Sequence, residues 1–288
     1  MRLTRKVTSQ VLLSALLLSN FATMNQPATA SQPQRQQTLP TTNLISKPQQ
    51  TMAAPAAPTA TLLNTYTLTD TALGAFQNLY LTGTITNDRQ IDLGGIGSDL
   101  WHSPGDPADE FWMVTDRGPI TTVSGTLAFA VPAFDPVILH VRVTLTNTID
   151  VLNALPILTS SGAPVTGLPN NNVYDEKPFQ IDGTTVISYN PDGLDTEGLV
   201  RTTAGDFWVA EEYNPSLVHL DSTGKTIRRY APQGLVFTPT QPTSPMTYNL
   251  PGILTRRKGD RGFEGLTLSN DQKQLFVAVF RVGTLPVP

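Results

Sequence analysis

From Leu62 onward, apolar residues occur in short runs that are separated by glycine, proline, asparagine, aspartate and threonine. No window keeps apolar residues at positions i, i+3, i+4 and i+7 for long, so long amphipathic helices are not predicted. The runs are rich in β-branched and aromatic residues, which is typical of β-strands. The clearest of them are residues 111–114, 137–145, 185–189, 207–210 and 275–279. The pattern predicts an all-β fold of many short strands.

Two turn sequences predict β-hairpins between such runs. Residues 220–227 place an aspartate and a glycine between β-prone flanks, and residues 268–275 place Asn-Asp in the same way. These residue types tolerate the backbone conformations of tight turns. Many short antiparallel strands joined by such turns are typical of a sandwich, a barrel or a propeller.

A repeat favours the propeller among these three architectures. Each copy contains an acid, a small residue and a leucine, followed by a turn and an aromatic-apolar strand. The three copies cover residues 97–118, 196–212 and 263–279. Two of them read Glu-Gly-Leu, at Glu197 and Glu264, and the first is a weaker copy with Asp99 before its leucine. Self-similar segments of this kind indicate a repeat architecture.

The propeller interpretation gives the repeated acids a physical role. The innermost strand of each blade lines a central channel, where a glycine lets neighbouring backbones approach closely. Carboxylates from several blades would then meet at one mouth of the channel. Carboxylates that meet either repel, raise each other's pKa or bind a hard cation such as Ca²⁺. The alternative interpretation of Glu-Gly is turn chemistry at an exposed strand start.

The first 30 residues have the order of a cleaved secretory signal peptide. Basic residues at positions 2, 5 and 6 precede an apolar stretch around residues 11–18, and Ala28-Thr29-Ala30 has the small-x-small pattern that signal peptidase reads. We predict cleavage after Ala30 and a secreted or periplasmic location. The apolar stretch is short for a bilayer span, and no later apolar run is long and uncharged, so no membrane span is expected after cleavage.

The mature chain is predicted to have a linker and one domain. Residues 31–61 are rich in proline, glutamine, threonine and alanine and have few apolar residues to bury, which predicts a disordered linker. Residues 62–288 are predicted to form one domain, since all-β units of about 200–250 residues are common.

Composition excludes several kinds of chemistry. The chain has no cysteine, which excludes disulfides, thiol catalysis and cysteine-ligated zinc. Its net charge is −4 and its one dense basic cluster, residues 256–258, is followed by glycine and aspartate, so no nucleic-acid partner is expected. The chain also lacks a Gly-x-Ser-x-Gly elbow, a His-Glu-x-x-His pair and a glycine-rich phosphate loop. A serine-hydrolase triad, a histidine-bound zinc and a nucleotide cofactor are therefore not predicted.

Three motifs carry a resemblance to a known family. They are Asp116-Arg117-Gly118-Pro119 after an aromatic strand, the stretch 192–217 with DGLDTEGL and FWVAEEYNPSL, and Arg261-Gly262-Phe263-Glu264-Gly265-Leu266. Together they resemble the phytase-like esterase family (esterase-like activity of phytase), over about residues 81–279. The resemblance implies a propeller-like fold and hydrolysis of a small-molecule phosphate ester.

The resemblance also implies site residues. The candidate catalytic residues are Glu197, Glu264, Asp116, Arg117 and Arg261. The candidate ligands for Ca²⁺ are Glu197, Glu211, Glu212, Glu264 and Asp116. The two arginines would clamp phosphate oxygens, and a carboxylate not bound to metal would act as general base. Glu211 and Glu212 are adjacent and face opposite sides of a strand, so only one can reach a given site, and the preference is for Glu211.

The sequence departs from the family pattern in two places. Residues 97–100 stand where a Ser-Gly-Leu-like start is expected, and the tail after Val279 no longer resembles the family. We therefore expect an incomplete, C-terminally truncated propeller. Two other functions remain open: a metal-dependent lactonase or sugar-ester hydrolase, and a non-catalytic exported propeller that binds a ligand or partner. The sequence does not indicate an oligomeric state.

Overall fold

A computed structural model describes residues 61–279, except positions 82, 174, 258 and 260. The predicted signal peptide, nearly all of the predicted linker and the tail on which the expected truncation rests lie outside the described residues. The compact unit within the described range begins at Tyr66.

Nearly all of the regular secondary structure in the described residues is β-strand, as the sequence predicts. In chain order the elements are β1 (Thr67–Leu68), α1 (Leu73–Asn78), β2 (Asp99–Trp101), β3 (Glu110–Val114), β4 (Ile120–Val123), β5 (Thr126–Phe129), β6 (Val137–Val143), β7 (Thr148–Pro156), β8 (Thr196–Arg201), β9 (Phe207–Glu211), β10 (Ser216–Leu220), β11 (Thr226–Pro232), β12 (Met246–Leu250), a 3₁₀ helix (Gly252–Arg256), β13 (Phe263–Leu268) and β14 (Leu275–Val279). None of the helices in the described range is long and apolar enough to cross a membrane.

Within residues 61–279, the described strands form two five-stranded sheets and two hairpins. The first sheet has the order β1-β7-β6-β3-β2 and the second the order β12-β11-β10-β9-β8. Four strands of each sheet are antiparallel, and the outermost strand, β1 or β12, runs parallel to its neighbour. The pairs β13–β14 and β4–β5 are separate antiparallel hairpins.

Both predicted hairpins are confirmed, as β10–β11 and β13–β14. The predicted strand at residues 185–189 is wrong. Val186 forms only an isolated bridge to Phe179, and the backbone hydrogen bonds of Gln180 to Thr185 and of Ile187 to Pro178 do not extend into a ladder. The six-residue helix α1 was not predicted, because it is too short to show a helical period and depends on the burial of Leu73 and Phe76.

The three repeat copies adopt one register. Leu100 in β2 lies opposite Met113, Leu199 in β8 opposite Val209, and Leu266 in β13 opposite Val277. Strand β8 packs beside both β2 and β13. These three strands are therefore the inner members of successive strand units, which is a propeller-like arrangement.

The same register corrects the position of the acid in the first copy. Asp99 occupies the place of the glycine in Glu-Gly-Leu, and Ser98 occupies the place of the glutamate. The Asp99 carboxylate accepts the backbone N–H of Leu199 at 2.7 Å. Burial raises the pKa of Asp99 to about 6, although its backbone hydrogen bonds lower it. Asp99 thus joins two inner strands.

A glycine in β8 allows the inner strands to approach. A Cβ atom at Gly198 would lie 2.8 Å from the Cβ atoms of both Ala210 and Leu266. On the other side of β8, Leu199 and Val209 pack with Val114 in one buried apolar cluster. Neighbouring units therefore share continuous apolar cores, and β8 is fixed between β2 and β13.

Two of the three histidines belong to a second repeated feature. His140 stacks on Trp112 with ring centroids 4.2 Å apart, and His219 stacks on Trp208 at 4.3 Å. The His140 Nε2 atom lies 3.0 Å from Glu110, and His219 pairs in the same way with Asp206. Each acid directly precedes the aromatic run that holds the tryptophan. These histidines pack against the second strands of two units, β3 and β9.

Candidate functional site

Three carboxylates meet where β3 ends and β8 begins. Asp116 follows β3 by two residues, Asp195 directly precedes β8, and Glu197 is the second residue of β8. One ligand atom from each of the three lies within 4.8 Å of the others. We call these three residues the carboxylate cluster.

Hydrogen bonds to backbone carbonyl oxygens hold the segments of the cluster in place. The Thr196 hydroxyl donates to the carbonyl oxygen of Thr115, which ties the start of β8 to the end of β3. The Asp116 N–H donates to the Gly95 carbonyl at 2.8 Å. Gly95 has a φ of +62°, and a Cβ atom there would lie only 3.2 Å from the Asp116 Cβ. The loop before β2 therefore needs glycine at this position to support Asp116.

A β-bulge presents the glutamate of each Glu-Gly-Leu copy. Thr196 and Gly198 pair with consecutive residues of β9, so Glu197 between them has no ladder partner. Glu264 has the same place between Phe263 and Gly265. A bulge changes the direction in which the side chain of the extra residue points. The sequence repeat therefore corresponds to a repeated β-bulge at the glutamate.

Asp195 is the most buried member of the cluster, with 1% of its surface exposed. Its Oδ2 atom lies 3.0 Å from the Arg117 Nη1 atom. Neither carboxylate oxygen accepts a well-formed hydrogen bond from a described residue. Burial raises the pKa of Asp195 well above its usual range; Arg117 opposes the shift, and the nearby Asp116 and Glu197 add to it. A buried oxygen without a donor is costly unless a ligand satisfies it.

Acids from a further unit approach the cluster. Burial, followed by the charges of Asp116, Glu212 and Glu264, raises the pKa of Glu197 to about 8, against a smaller opposing effect of a hydrogen bond with Ser98. Burial and then Glu212 raise the pKa of Glu264 to about 7. Carboxylates of separate strand units thus lie close enough to resist ionisation together.

The approach of β13 to Glu212 depends on Gly262. A Cβ atom at this position would lie 2.1 Å from the Glu212 carbonyl oxygen. The Glu212 N–H in turn donates to the Asp195 carbonyl at 2.9 Å. This chain of backbone contacts brings the β13 acid, Glu264, next to the acids of the β8–β9 unit.

Glu211, the member of the adjacent pair preferred from sequence, lies in a different network from the cluster. Its carboxylate is completely buried and pairs with Arg229 at 2.7 Å. It also accepts hydrogen bonds from the Asn170 and Ser216 side chains and from the N–H groups of Tyr213 and Asn214. These donors occupy both oxygens of Glu211. Glu212, on the opposite side of the strand end, is the member of the pair that interacts with Glu197 and Glu264.

The two candidate arginines have different surroundings. Arg117 is largely buried, and its Nη1 atom contacts Asp195 and also Glu176, at 2.9 Å. Arg261 is exposed, and its charge lowers the pKa of Glu264. Arg261 is therefore the candidate that faces solvent beside the acids.

Asp195 was not among the residues predicted from sequence. The signal that could have found it is its spacing, because Asp195 and Glu197 are two residues apart at a strand start, where alternate residues share a face. Glu176 had no such signal, since it lies in a loop 59 residues from Arg117 in the chain.

The chemistry of the cluster suits a cation. Three carboxylates within 4.8 Å, one of which has a buried oxygen, Asp195 Oδ1, without a hydrogen-bond donor among the described residues, could hold a metal ion. Oxygen ligands of this kind are preferred by hard cations.

Comparison with known proteins identifies the family. The sequence profile described as "Phytase-like: Esterase-like activity of phytase" matches residues 91–283, about two thirds of the chain. A protein of Arthroderma benhamiae named "Uncharacterized secreted protein" is 26% identical in an alignment 231 positions long that covers 65% of this chain and 44% of that protein. The chain thus spans less than half the length of this curated relative. No solved structure matches. The profile match covers the three repeat copies and all the acids described above, and the chain belongs to the phytase-like family.

Proposed function

We propose that this protein is an exported hydrolase that cleaves phosphate esters with the help of Ca²⁺ held by the carboxylate cluster. The observation that carries the proposal is the convergence of Asp116, Asp195 and Glu197 within 4.8 Å. Membership of a family described by esterase-like activity of phytase supports ester hydrolysis as the reaction. A phosphate ester is the proposed substrate because a phosphate group is itself a ligand for a hard cation.

The proposed location of the site is one mouth of a propeller channel. The inner strands β2, β8 and β13 would each begin a blade, and the bulged Glu197 and Glu264 would face the channel from neighbouring blades. Export is supported by the signal-like pattern that ends at Ala30 and by the relative that is named a secreted protein.

The residues around the cluster divide into ligands and proton carriers. Asp116, Asp195 and Glu197 would hold Ca²⁺, and the bound ion would neutralise charge on the substrate phosphate. Glu264 interacts more closely with Glu212 than with the cluster, and we assign it as the base that accepts a proton from the attacking water. The water oxygen would form a bond to phosphorus as the ester P–O bond breaks, the leaving alkoxide would take up a proton from solvent, and Glu264 would return its proton to solvent.

Arg261 is the proposed contact for a substrate phosphate oxygen. It is exposed and lies close enough to Glu264 to lower the pKa of that acid. A guanidinium presents a planar fork of donors that fits two phosphate oxygens. Its place beside the proposed base would orient the phosphorus towards the attacking water.

We expect the purified protein to release phosphate from phytate, or p-nitrophenol from bis(p-nitrophenyl) phosphate, with Ca²⁺ present and not with EDTA. Substitution of Glu197→Gln or Glu264→Gln should lower kcat/KM by about 100-fold or more, since loss of a positioned proton carrier or a ligand has effects of this size. Substitution of Asp150→Asn, an exposed acid on β7, is the matched control and should leave the rate unchanged.

A wild-type protein that releases no product with Ca²⁺ would refute the proposed hydrolysis. A parallel assay with p-nitrophenyl acetate separates the phosphate esterase from a carboxyl-ester hydrolase. Release from the acetate alone would contradict the assigned substrate class and leave the acids as the candidate site.

A further inference from the structure

Arg117 lies between two carboxylates that come from distant parts of the chain. Its Nη1 atom is 3.0 Å from Asp195 Oδ2 and 2.9 Å from Glu176 Oε1. The exposed fractions of the three side chains are 14% for Arg117, 17% for Glu176 and 1% for Asp195. The guanidinium therefore bridges the cluster to the loop that carries Glu176.

The aromatic ring of Tyr213 supports the guanidinium from a further side. The Arg117 Cζ atom lies 5.5 Å from the ring centroid, and the Tyr213 hydroxyl donates to the Gly167 carbonyl at 2.8 Å. Gly167 packs directly on the Arg117 backbone, where a Cβ atom would lie 1.7 Å from the Arg117 carbonyl oxygen. Both ends of Arg117 are thus held in place.

The loop that carries Glu176 is also anchored. The neighbouring Asp175 forms an ion pair with Arg257, and both side chains are almost completely buried. The second oxygen of Asp175 accepts the N–H of Asn171 at 2.9 Å. Glu176 is therefore presented to Arg117 from a fixed loop.

We infer that Arg117 and Glu176 are positioning residues of the carboxylate cluster. Arg117 orients Asp195 through Oδ2 and leaves Oδ1, which has no hydrogen-bond donor among the described residues, available to a cation. Glu176 holds Arg117 and shares its charge. The inference rests on the proposed function in that it takes the cluster as the cation site.

The charges explain why Glu176 is needed. A cation in the cluster meets three carboxylates and one guanidinium, and the guanidinium repels it. Because Glu176 partly neutralises Arg117, Asp195 keeps more of its negative charge for the cation. Without the Glu176 charge, Arg117 would attract the Asp195 carboxylate more strongly and compete with the ion. Loss of such a supporting partner typically lowers metal affinity about 10–100-fold.

The test is calorimetric titration of the metal-free full chain with CaCl₂ at pH 7.5. Glu176→Gln should raise the Kd for Ca²⁺ by about 10–100-fold, and Glu176→Asp should restore most of the affinity. The matched control is Glu110→Gln, which removes the charge of another largely buried glutamate that pairs with an arginine, Arg142, and should leave the Kd within about twofold of wild type.

Near-UV circular dichroism shows whether each metal-free variant is folded. If Glu176→Gln does not fold, Arg117→Lys replaces it and should raise the Kd likewise, since a lysine keeps the charge but lacks the guanidinium whose Nη1 atom contacts both carboxylates. An unchanged Kd in the folded variant overturns the inference, as does an equal loss in Glu110→Gln. A wild-type protein that binds Ca²⁺ but releases no phosphate refutes the proposed reaction alone, and one that binds no Ca²⁺ overturns both.

Discussion

Replacement of Arg229 with methionine is expected to lower the free energy of unfolding by about 3–5 kcal/mol. Arg229 lies 2.7 Å from Glu211, and the exposed fractions of the two side chains are 3% and 0%. The substitution leaves a buried carboxylate without its nearest counter-charge, which is among the most destabilising of single changes. Urea unfolding at pH 7 measures the effect.

The matched control is Arg142→Met, because Arg142 also pairs with a glutamate but its side chain is 45% exposed. Its loss should cost about 1 kcal/mol or less. The Glu211→Gln/Arg229→Met double variant should be more stable than Arg229→Met, since the unpaired charge is then absent. Equal losses in the two arginine variants would contradict a structural role for the Glu211 network.

The metal-free protein is expected to lose stability as pH rises from about 5 to 8. The folded-state pKa values of Glu197, about 8, and Glu264, about 7, lie above the ordinary value of 4.5. Between these values the folded state keeps protons that the unfolded state releases, so rising pH favours unfolding. Thermal unfolding in EDTA should show a Tm that falls over this range, by about 2–4 °C for each 1 kcal/mol of stability lost.

Two comparisons assign the pH effect to the acids. Glu197→Gln, which mimics the protonated side chain, should match wild type at pH 5 and exceed its Tm at pH 8. Some slope should remain, because burial also raises the pKa of Asp135, which is not a member of the cluster, to about 7. Saturating Ca²⁺ should stabilise wild type more at pH 8 than at pH 5, since the ion binds the ionised carboxylates. A Tm that rises with pH in EDTA would contradict a desolvated cluster.

Local sequence patterns predict much of the β architecture. The hairpins β10–β11 and β13–β14 follow from turn residues between β-prone runs, and the three aligned inner strands follow from the repeat. The strand expected at residues 185–189 fails because strand formation needs a neighbour, and the local sequence carries no information about one. Helix α1 is missed for a related reason, since its stability comes from tertiary burial.

The sequence predicts the site residues that recur in the repeat, and it does not predict the roles of those that do not recur. Glu197 and Glu264 are marked by the glycine and leucine that follow them. The roles of Glu211 and Glu212 depend on which side of the strand end meets Arg229, and that arginine lies 18 residues from Glu211 in the chain. Glu176 contacts Arg117, from which it is 59 residues distant in the chain, so only the folded structure shows that the two side chains meet.

The location of bound Ca²⁺ tests the account most directly, through anomalous scattering from crystals of the protein grown with Ca²⁺. We expect a peak about 2.3–2.6 Å from carboxylate oxygens of Asp116, Asp195 and Glu197, which is lost in Asp195→Asn. A map with no peak among these three side chains, at a Ca²⁺ concentration that supports full activity, would contradict it.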